Sequence, residues 1–142
     1  VVDCTFLIAE RLGEGQYQLV GDINFFLAED EDNPSQKEAE VNIMIGESDS
    51  RRKGLGKEAL LLGFRYVIEH LHATSILARI SDDNVASITL FKEKLQWAVE
   101  SHSDVFSETS FRKESNSAFK SFLEQHTPDY RVTEDYEDNK VA

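Results

Sequence analysis

A basic, glycine-rich stretch, Arg51-Arg52-Lys53-Gly54-Leu55-Gly56, joins a strand-like run to a helix-like run. The first N–H groups of a helix have no intrahelical partner, and the helix dipole makes that end electropositive, so a phosphate group binds there readily. Glycines at positions 54 and 56 let a phosphate approach the main chain, because they carry no Cβ atom. Together with Lys57, the three basic side chains add positive charge to a chain that is acidic elsewhere. The stretch therefore predicts an anion site, although a basic helix start without a ligand is the alternative for the motif alone.

The flanking segments predict a strand–helix–strand unit. In Ala39–Gly46, branched apolar residues alternate with Glu, Asn and Met. Val41, Ile43 and Ile45 are therefore expected on one face of a strand. Gly54–Leu71 has apolar residues at intervals of three and four, which is typical of an amphipathic helix, and Ser75–Ile80 is a short apolar strand. Such a unit joins parallel strands and places ligands at their carboxyl ends, where the basic stretch lies.

The other segments predict further elements of one domain. A hairpin is expected around Gly13-Glu14-Gly15, and Asp82-Asp83-Asn84 is expected to begin a second helix. The other predicted elements are the strands Cys4–Glu10 and Gln18–Leu27, the strand pair Trp97–Val105 and Phe106–Arg112, and the short helix Ala118–Gln125. We assign residues 1–127 to the domain and 128–142 to an acidic, flexible tail, because the tail has too few apolar residues to fold alone.

Composition narrows the class of protein. The 142-residue chain has 27 acidic and 15 basic residues and a formal net charge of -12, which argues against nucleic-acid binding and favours a basic or neutral partner. Cys4 is the only cysteine, so the chain cannot form an internal disulfide, and the four scattered histidines predict neither a metal site nor other chemistry. Since no membrane-spanning stretch or cleavable signal is visible, we expect a cytoplasmic protein without a metal.

A second motif follows the strand–helix–strand unit: Asn84-Val85-Ala86-Ser87-Ile88-Thr89-Leu90-Phe91-Lys92-Glu93-Lys94-Leu95-Gln96-Trp97. It is similar to the pattern Asn-x-x-Ser-x-x-x-(Phe/Tyr)-x-Lys-Leu-Gly-Phe, and the basic stretch has the form Arg-x-x-Gly-x-Gly. At this separation the two motifs resemble the GCN5-related N-acetyltransferase (GNAT) superfamily. The resemblance implies an α/β (α+β) fold, with a mixed, mostly antiparallel twisted sheet and flanking helices. That fold starts with a strand and one or two helices, which we expect this chain to lack because its first residues already predict a core strand.

The resemblance also implies acetyl-CoA as co-substrate and assigns residues to it. The backbone of Met44, Ile45 and Gly46 would pair with the pantetheine arm as an added strand, while Asn84 and Ser87 would approach the arm from the second helix. The pyrophosphate would lie on the glycine-rich loop. The residues of that loop are Arg51, Arg52, Lys53, Gly54, Leu55, Gly56 and Lys57. For Asn84, an N-cap of the second helix is an equal alternative, and the two roles are compatible.

Two side chains before the loop are candidates for catalysis. Glu40 stands where several relatives carry a general base, and it would take a proton from the attacking amine, directly or through water held by Asn42. A Glu on a strand is as often merely solvated, so that alternative stays open. Many family members use a Tyr to protonate the departing thiolate, whereas Phe91, at the nearest matching position beside the cofactor, has no proton to give. Either the thiolate leaves without an acid, or another residue or water supplies the proton.

The details of the motifs narrow the resemblance. Gln96 replaces the usual Gly, so we expect an ordinary backbone conformation at that turn. Within the superfamily, residues 21–27, 40–47 and 51–59 look closest to the eukaryotic N-acetyltransferase 9-like proteins, of the branch that includes the ribosomal-protein alanine and serine acetyltransferases. This resemblance implies acetylation of a protein α-amino group or lysine and an association with tubulin. The favoured hypothesis is a protein N-acetyltransferase that works by direct attack on the thioester. The alternative is a catalytically weak or inactive module of the same fold, whose acidic surface engages a basic or cytoskeletal partner.

Overall fold

The computed structural model describes residues 2–46 and 54–133. The strands are β1 (Val2–Gly13), β2 (Gln16–Glu29), β3 (Lys37–Ile45), β4 (Ser75–Ser81), β5 (Val99–Ser103) and β6 (Glu108–Glu114). The helices are α1 (Leu55–Glu69), α2 (Val85–Thr89) and α3 (Ser117–His126). Within these residues the strands form one sheet in the order β1-β2-β3-β4-β6-β5. The β3–β4 pair is parallel and the other neighbouring pairs are antiparallel, so the predicted fold class is confirmed.

The core lies between one face of this sheet and the helices α1 and α3. In α1, Leu60, Phe64 and Val67 are buried because they recur every three or four residues on the face toward the sheet. Buried partners on the strands and α3 are Ile23, Phe25, Leu27, Ala39, Val41, Ile76, Ala78, Phe111, Phe119 and Leu123. Along β3 the residues Ala39 and Val41 are buried while Asn42 and Met44 are exposed, as the alternation of the sequence predicts.

The opposite face of the sheet carries polar and charged side chains, and we call it the open face. It presents Asn24, Glu40, Asn42 and Arg79, none of which is fully buried. Leu7 and Met44 also lie on it and are largely exposed. Leu77 also lies on this face and is 6% exposed, whereas the main core cluster of the described residues packs against the other face.

The predicted second helix is not a single regular helix. After α2 the chain makes a π-helical turn, Leu90–Lys94, in which the Leu95 N–H donates to the Leu90 carbonyl at 2.9 Å. Between Phe91 and Lys94 the sequence has two residues where the family pattern has one, and a π turn accommodates one extra residue. The prediction for Gln96 was wrong, since its φ of 60° lies in the left-handed region that glycine adopts more readily.

The C-terminal elements differ in extent from their predictions. Val105 and Phe106, predicted as strand residues, lie in the exposed turn between β5 and β6. Packing continues past the predicted domain boundary, because the Arg65 guanidinium lies 4.4 Å from the ring centroid of Tyr130 and donates to the Thr127 carbonyl at 3.2 Å. The predicted acidic tail lies largely in residues 134–142, outside the described residues. Among the helices that the structure describes, none is long and apolar enough to span a membrane.

Candidate functional site

A cleft opens where β3 and β4 separate. Their parallel pairing joins Glu38–Glu40 to Ser75–Leu77, and within the described residues it extends no further. From Val41 to Met44, β3 therefore runs on without β4 beside it. The start of α1 closes one side of the gap, and α2 with the π turn closes the other, leaving a cleft of about 760 Å³.

The cleft brings together predicted cofactor residues from three separate segments. Those that line it are Met44, Ile45, Gly54, Gly56, Lys57, Asn84 and Ser87. Lining residues that the sequence did not predict are Ile43, Ala86, Thr89, Leu90 and Lys94. Gly46 and Leu55 adjoin the lining without belonging to it, and Arg51, Arg52 and Lys53 lie outside the described residues.

The charge of the lining is opposite to that of the whole chain. Lys57 and Lys94 line the cleft, and no carboxylate does so among the residues that the structure describes, although the chain has 27 acidic residues. Ile43, Ile45 and Leu90 give the same cleft an apolar surface. Such a lining suits a long ligand with an uncharged arm and an anionic end.

The start of α1 has the geometry that close backbone approach requires. Gly54 occupies the N-cap position with a φ of 74°, which is unfavourable for residues with a side chain, and no side chain caps the helix. A Cβ atom at Gly56 would lie 3.3 Å from Leu90 Cδ2 and would project into the cleft. The first backbone N–H groups of this 15-residue helix thus border the cleft without a capping side chain.

Asn84 is the N-cap of α2, which was one of its two predicted roles, the other being contact with the pantetheine arm. Its Oδ1 accepts a hydrogen bond from the Ser87 N–H at 3.2 Å, which fixes the start of α2. Both residues also line the cleft. The cap therefore sets the position of the wall that faces α1.

The predicted catalytic side chains lie on the open face, outside the cleft lining. Glu40 is not merely solvated, because its Oε1 lies 3.0 Å from Arg79 Nε and 2.9 Å from Arg79 Nη2. No described residue hydrogen-bonds its Oε2 atom. Asn42 follows on the same face, and Met44 at the cleft is about 13 Å along the strand from Glu40 at ~3.3 Å per residue. Sequence reasoning missed Arg79, which is recognised only once β3 and β4 are paired.

A second acid–arginine pair lies beside the first on the open face. Glu38 Oε2 accepts hydrogen bonds from Arg112 Nε at 2.7 Å and from the Ser75 hydroxyl at 2.9 Å, and Arg112 also binds Glu100. The hydrogen bond from Arg112 lowers the pKa of the Glu38 carboxyl below its ordinary value, and the Ser75 hydroxyl acts in the same direction. Glu38 on β3 is thus held as a carboxylate by side chains from β4 and β6.

The position of Phe91 differs from its predicted role beside the cofactor. Its side chain is 1% exposed, and its ring stacks on Phe111 with centroids 5.8 Å apart and meets Trp97 edge-on at 5.1 Å. The ring is absent from the cleft lining, because an apolar aromatic side chain at this point of the π turn is buried in the core. Phe91 therefore cannot contact a ligand unless the core opens.

His102 has a structural environment that the sequence did not predict. Its Nε2 lies 2.7 Å from Asp82 Oδ2, and the Thr109 hydroxyl donates to Asp82 Oδ1 at 2.7 Å. The hydrogen bond between the two side chains raises the pKa of His102 and lowers the pKa of Asp82. This pair connects the β5–β6 hairpin to the turn that precedes α2, one wall of the cleft.

Comparison with known proteins identifies the family. A family model described as an acetyltransferase (GNAT) domain matches residues 2–94, more than half of the chain. The chain belongs to the GNAT acetyltransferase family. The family predicted from the two motifs is therefore confirmed.

Individual relatives agree with this membership. An N-acetyltransferase 9-like protein of Nematostella vectensis is 38% identical over 80% of this chain and 59% of its own length. The alpha/beta-tubulin-N-acetyltransferase 9 of Mus musculus is 36% identical over 77% of this chain and 46% of its own length. The solved structure of Mycobacterium smegmatis RimJ in complex with CoA-disulfide has a TM-score of 0.61 at 12% identity, over 79% of this chain and 55% of RimJ, and shares the fold. The chain thus spans 59% and 46% of the length of the Nematostella vectensis and Mus musculus relatives.

Proposed function

We propose that the protein transfers the acetyl group of acetyl-CoA to a protein amine, an N-terminal α-amino group or a lysine, by direct attack on the thioester. One observation carries the proposal: the cleft at the β3–β4 separation begins at a glycine-containing helix start and has two lysines but no carboxylate among its described lining residues. Membership of the GNAT acetyltransferase family supports acetyl transfer. The name of the mouse relative supports a protein acceptor, tubulin included.

In this proposal the cofactor lies along the cleft from α1 to β3. The N-terminus of α1 and Lys57 would hold the pyrophosphate, because unpaired N–H groups and the helix dipole favour an anion there. The pantetheine arm would add to the edge of β3 between Val41 and Met44, as an extended peptide adds to a sheet. Attack on the thioester requires a hydrogen-bond donor to its carbonyl oxygen, and the resemblance implies a backbone N–H at the end of β3. The Gly46 N–H already donates to the Val20 carbonyl at 2.8 Å, so this donor would come from elsewhere on β3.

Glu40 is the proposed general base. Arg79 contacts one of its carboxylate oxygens, which leaves Oε2 to accept the proton of the acceptor amine, directly or through a water near Asn42. The neutral amine then attacks the thioester carbon and forms the new C–N bond, and the positively charged nitrogen of the intermediate releases its extra proton to water. As the tetrahedral intermediate collapses, the C–S bond breaks and CoA leaves as a thiolate, which takes its proton from water because Phe91 has none to give.

Calorimetric titration of the purified protein with acetyl-CoA tests the cofactor assignment. Wild type should bind with micromolar affinity, and Gly54→Glu should abolish binding, since it places a carboxylate at the proposed pyrophosphate site. Unchanged affinity in Gly54→Glu would refute the assignment. Turnover with a panel of N-terminal and lysine peptides, tubulin sequences included, then tests the acceptor class.

A second candidate function is a non-catalytic module that retains the acetyl-CoA cleft and binds a basic partner through its acidic surface. Two observations favour it. Glu40 forms an ion pair with Arg79, and Phe91 is buried at the position where many family members carry a Tyr that acts as general acid. This candidate predicts acetyl-CoA binding without turnover on any peptide of the panel. Measurable turnover that is lost in Glu40→Gln would eliminate it.

A further inference from the structure

The π-helical turn has two sides with different surroundings. Phe91 and Leu95 on one side are 1% and 9% exposed and pack into the core. Leu90 and Lys94, four residues apart on the other side, line the cleft. The buried ring contacts and the hydrogen bond from the Leu95 N–H to the Leu90 carbonyl fix the orientation of this turn. The backbone that carries Lys94 is therefore held in place by the core.

Lys94 faces the cleft from the wall opposite α1. Leu90, on the same side of the turn, approaches α1 so closely that a Cβ atom on Gly56 would lie 3.3 Å from its Cδ2. Lys57 belongs to the α1 wall, so the two lysines border one cleft from two elements. Within residues 2–46 and 54–133 neither lysine forms an ion pair.

We propose that Lys94 binds the 3′-phosphate of the CoA ribose, an inference that rests on the proposed function. CoA has two anionic groups, a pyrophosphate and a 3′-phosphomonoester. The start of α1 and Lys57 suit the pyrophosphate, so Lys94 is the cation left for the second group among the described lining residues. A phosphomonoester carries up to two negative charges near pH 7, and a lysine ammonium pairs with it as a compact point charge. The π turn thus carries the lysine of this phosphate contact on the side that faces the cleft.

Titration calorimetry with CoA and with dephospho-CoA, which lacks only the 3′-phosphate, tests this contact. Lys94→Ala should weaken CoA binding about tenfold at low salt and leave dephospho-CoA binding unchanged. Lys94→Arg should retain most of the preference for CoA, since it keeps the charge. Lys92→Ala is the matched control, because Lys92 is exposed on the same turn, carries the same charge and does not line the cleft. Its affinities for both ligands should equal those of wild type.

Three outcomes would overturn the inference. Equal weakening of both ligands by Lys94→Ala would assign the lysine to another part of CoA, and unchanged binding of both would remove it from the site. The same weakening in Lys92→Ala would show a general charge effect. If wild type itself bound neither ligand, the proposed function would fall, whereas tight CoA binding with no effect of Lys94→Ala would overturn only the inference about Lys94.

Discussion

Alanine substitutions at two glycines of α1 should have opposite effects on stability and on ligand binding. At Gly56 the new Cβ would meet the flexible end of Leu90 at 3.3 Å and Ile43 Cδ1 at 3.9 Å. In a helix interior, alanine is more favourable than glycine by about 1 kcal/mol of helix propensity, and the difference is smaller in the first turn. Gly56→Ala should therefore leave the free energy of unfolding unchanged or raise it by up to about 1 kcal/mol. The methyl group occupies the cleft beside the proposed phosphate site, so the affinity for acetyl-CoA should fall about tenfold.

Gly63→Ala is the matched control on the same helix. Its Cβ would lie 3.0 Å from both Cε2 and Cζ of Phe25, a ring with no exposed surface. Overpacking of this kind costs about 1–3 kcal/mol, and the helix-propensity gain offsets about 1 kcal/mol of it. Gly63→Ala should therefore destabilise the protein by up to about 2 kcal/mol. Its acetyl-CoA affinity should match wild type, because position 63 is about 10 Å along the helix from position 56.

Urea unfolding and acetyl-CoA calorimetry on both variants provide the measurement. The reasoning requires a crossed pattern, with lost affinity in Gly56→Ala and lost stability in Gly63→Ala. If Gly56→Ala bound acetyl-CoA as wild type does, the cleft beside Leu90 would not be the cofactor site. If Gly63→Ala were as stable as wild type, the close packing of α1 on β2 would not constrain position 63.

Three further substitutions test individual residues. Glu40→Gln should leave acetyl-CoA affinity unchanged and lower kcat at neutral pH, with partial recovery as rising pH deprotonates the amine; full activity on acceptor peptides would remove Glu40 from the mechanism. Phe91→Tyr should lower the free energy of unfolding by about 1–3 kcal/mol, because it buries a hydroxyl among aromatic rings, and should not raise kcat; a gain in kcat would contradict the buried position. Because the pKa of His102 is raised, its contribution to stability is fully present below the ordinary histidine pKa and is lost as pH rises through the raised value. Because the pKa of Asp82 is lowered, its contribution is present above the ordinary aspartate pKa and is lost as pH falls through the lowered value. The Tm difference between wild type and His102→Gln should thus be largest between the ordinary pKa of an aspartate and that of a histidine, and parallel Tm curves across pH would show that ionisation of the pair contributes nothing to stability.

Several features could be predicted because their signals are local. The apolar period of α1 and the alternation of β3 depend on neighbouring residues alone, and the structure has both elements within a few residues of their predicted bounds. The N-cap at Asn84 depends on the same short range, since an Asn side chain reaches the N–H three residues ahead. Two motifs at a fixed separation were then enough to predict the family.

Other features depended on contacts between distant segments. Arg79 meets Glu40 only because β4 pairs with β3 in a particular register, and 39 residues separate them in the chain. The aromatic ring of Phe91 had two environments available on an amphipathic turn, the core and the cleft. In the structure the ring lies in the core against Phe111 and Trp97, and these partners come from segments that the short motif does not contain or place.

The sequence by itself determined the strand–helix–strand unit, the cap of α2 and the family, because periodicity, capping and motif spacing are properties of short stretches. Only the tertiary structure decided which side chains face the cleft. It places Lys94 there on the wall opposite Gly54, Gly56 and Lys57, and it places Glu40 outside, bound to Arg79. The physical reason is that the cleft exists only where two parallel strands separate, and the register of the strands and the extra residue of the π turn set which residues border the gap.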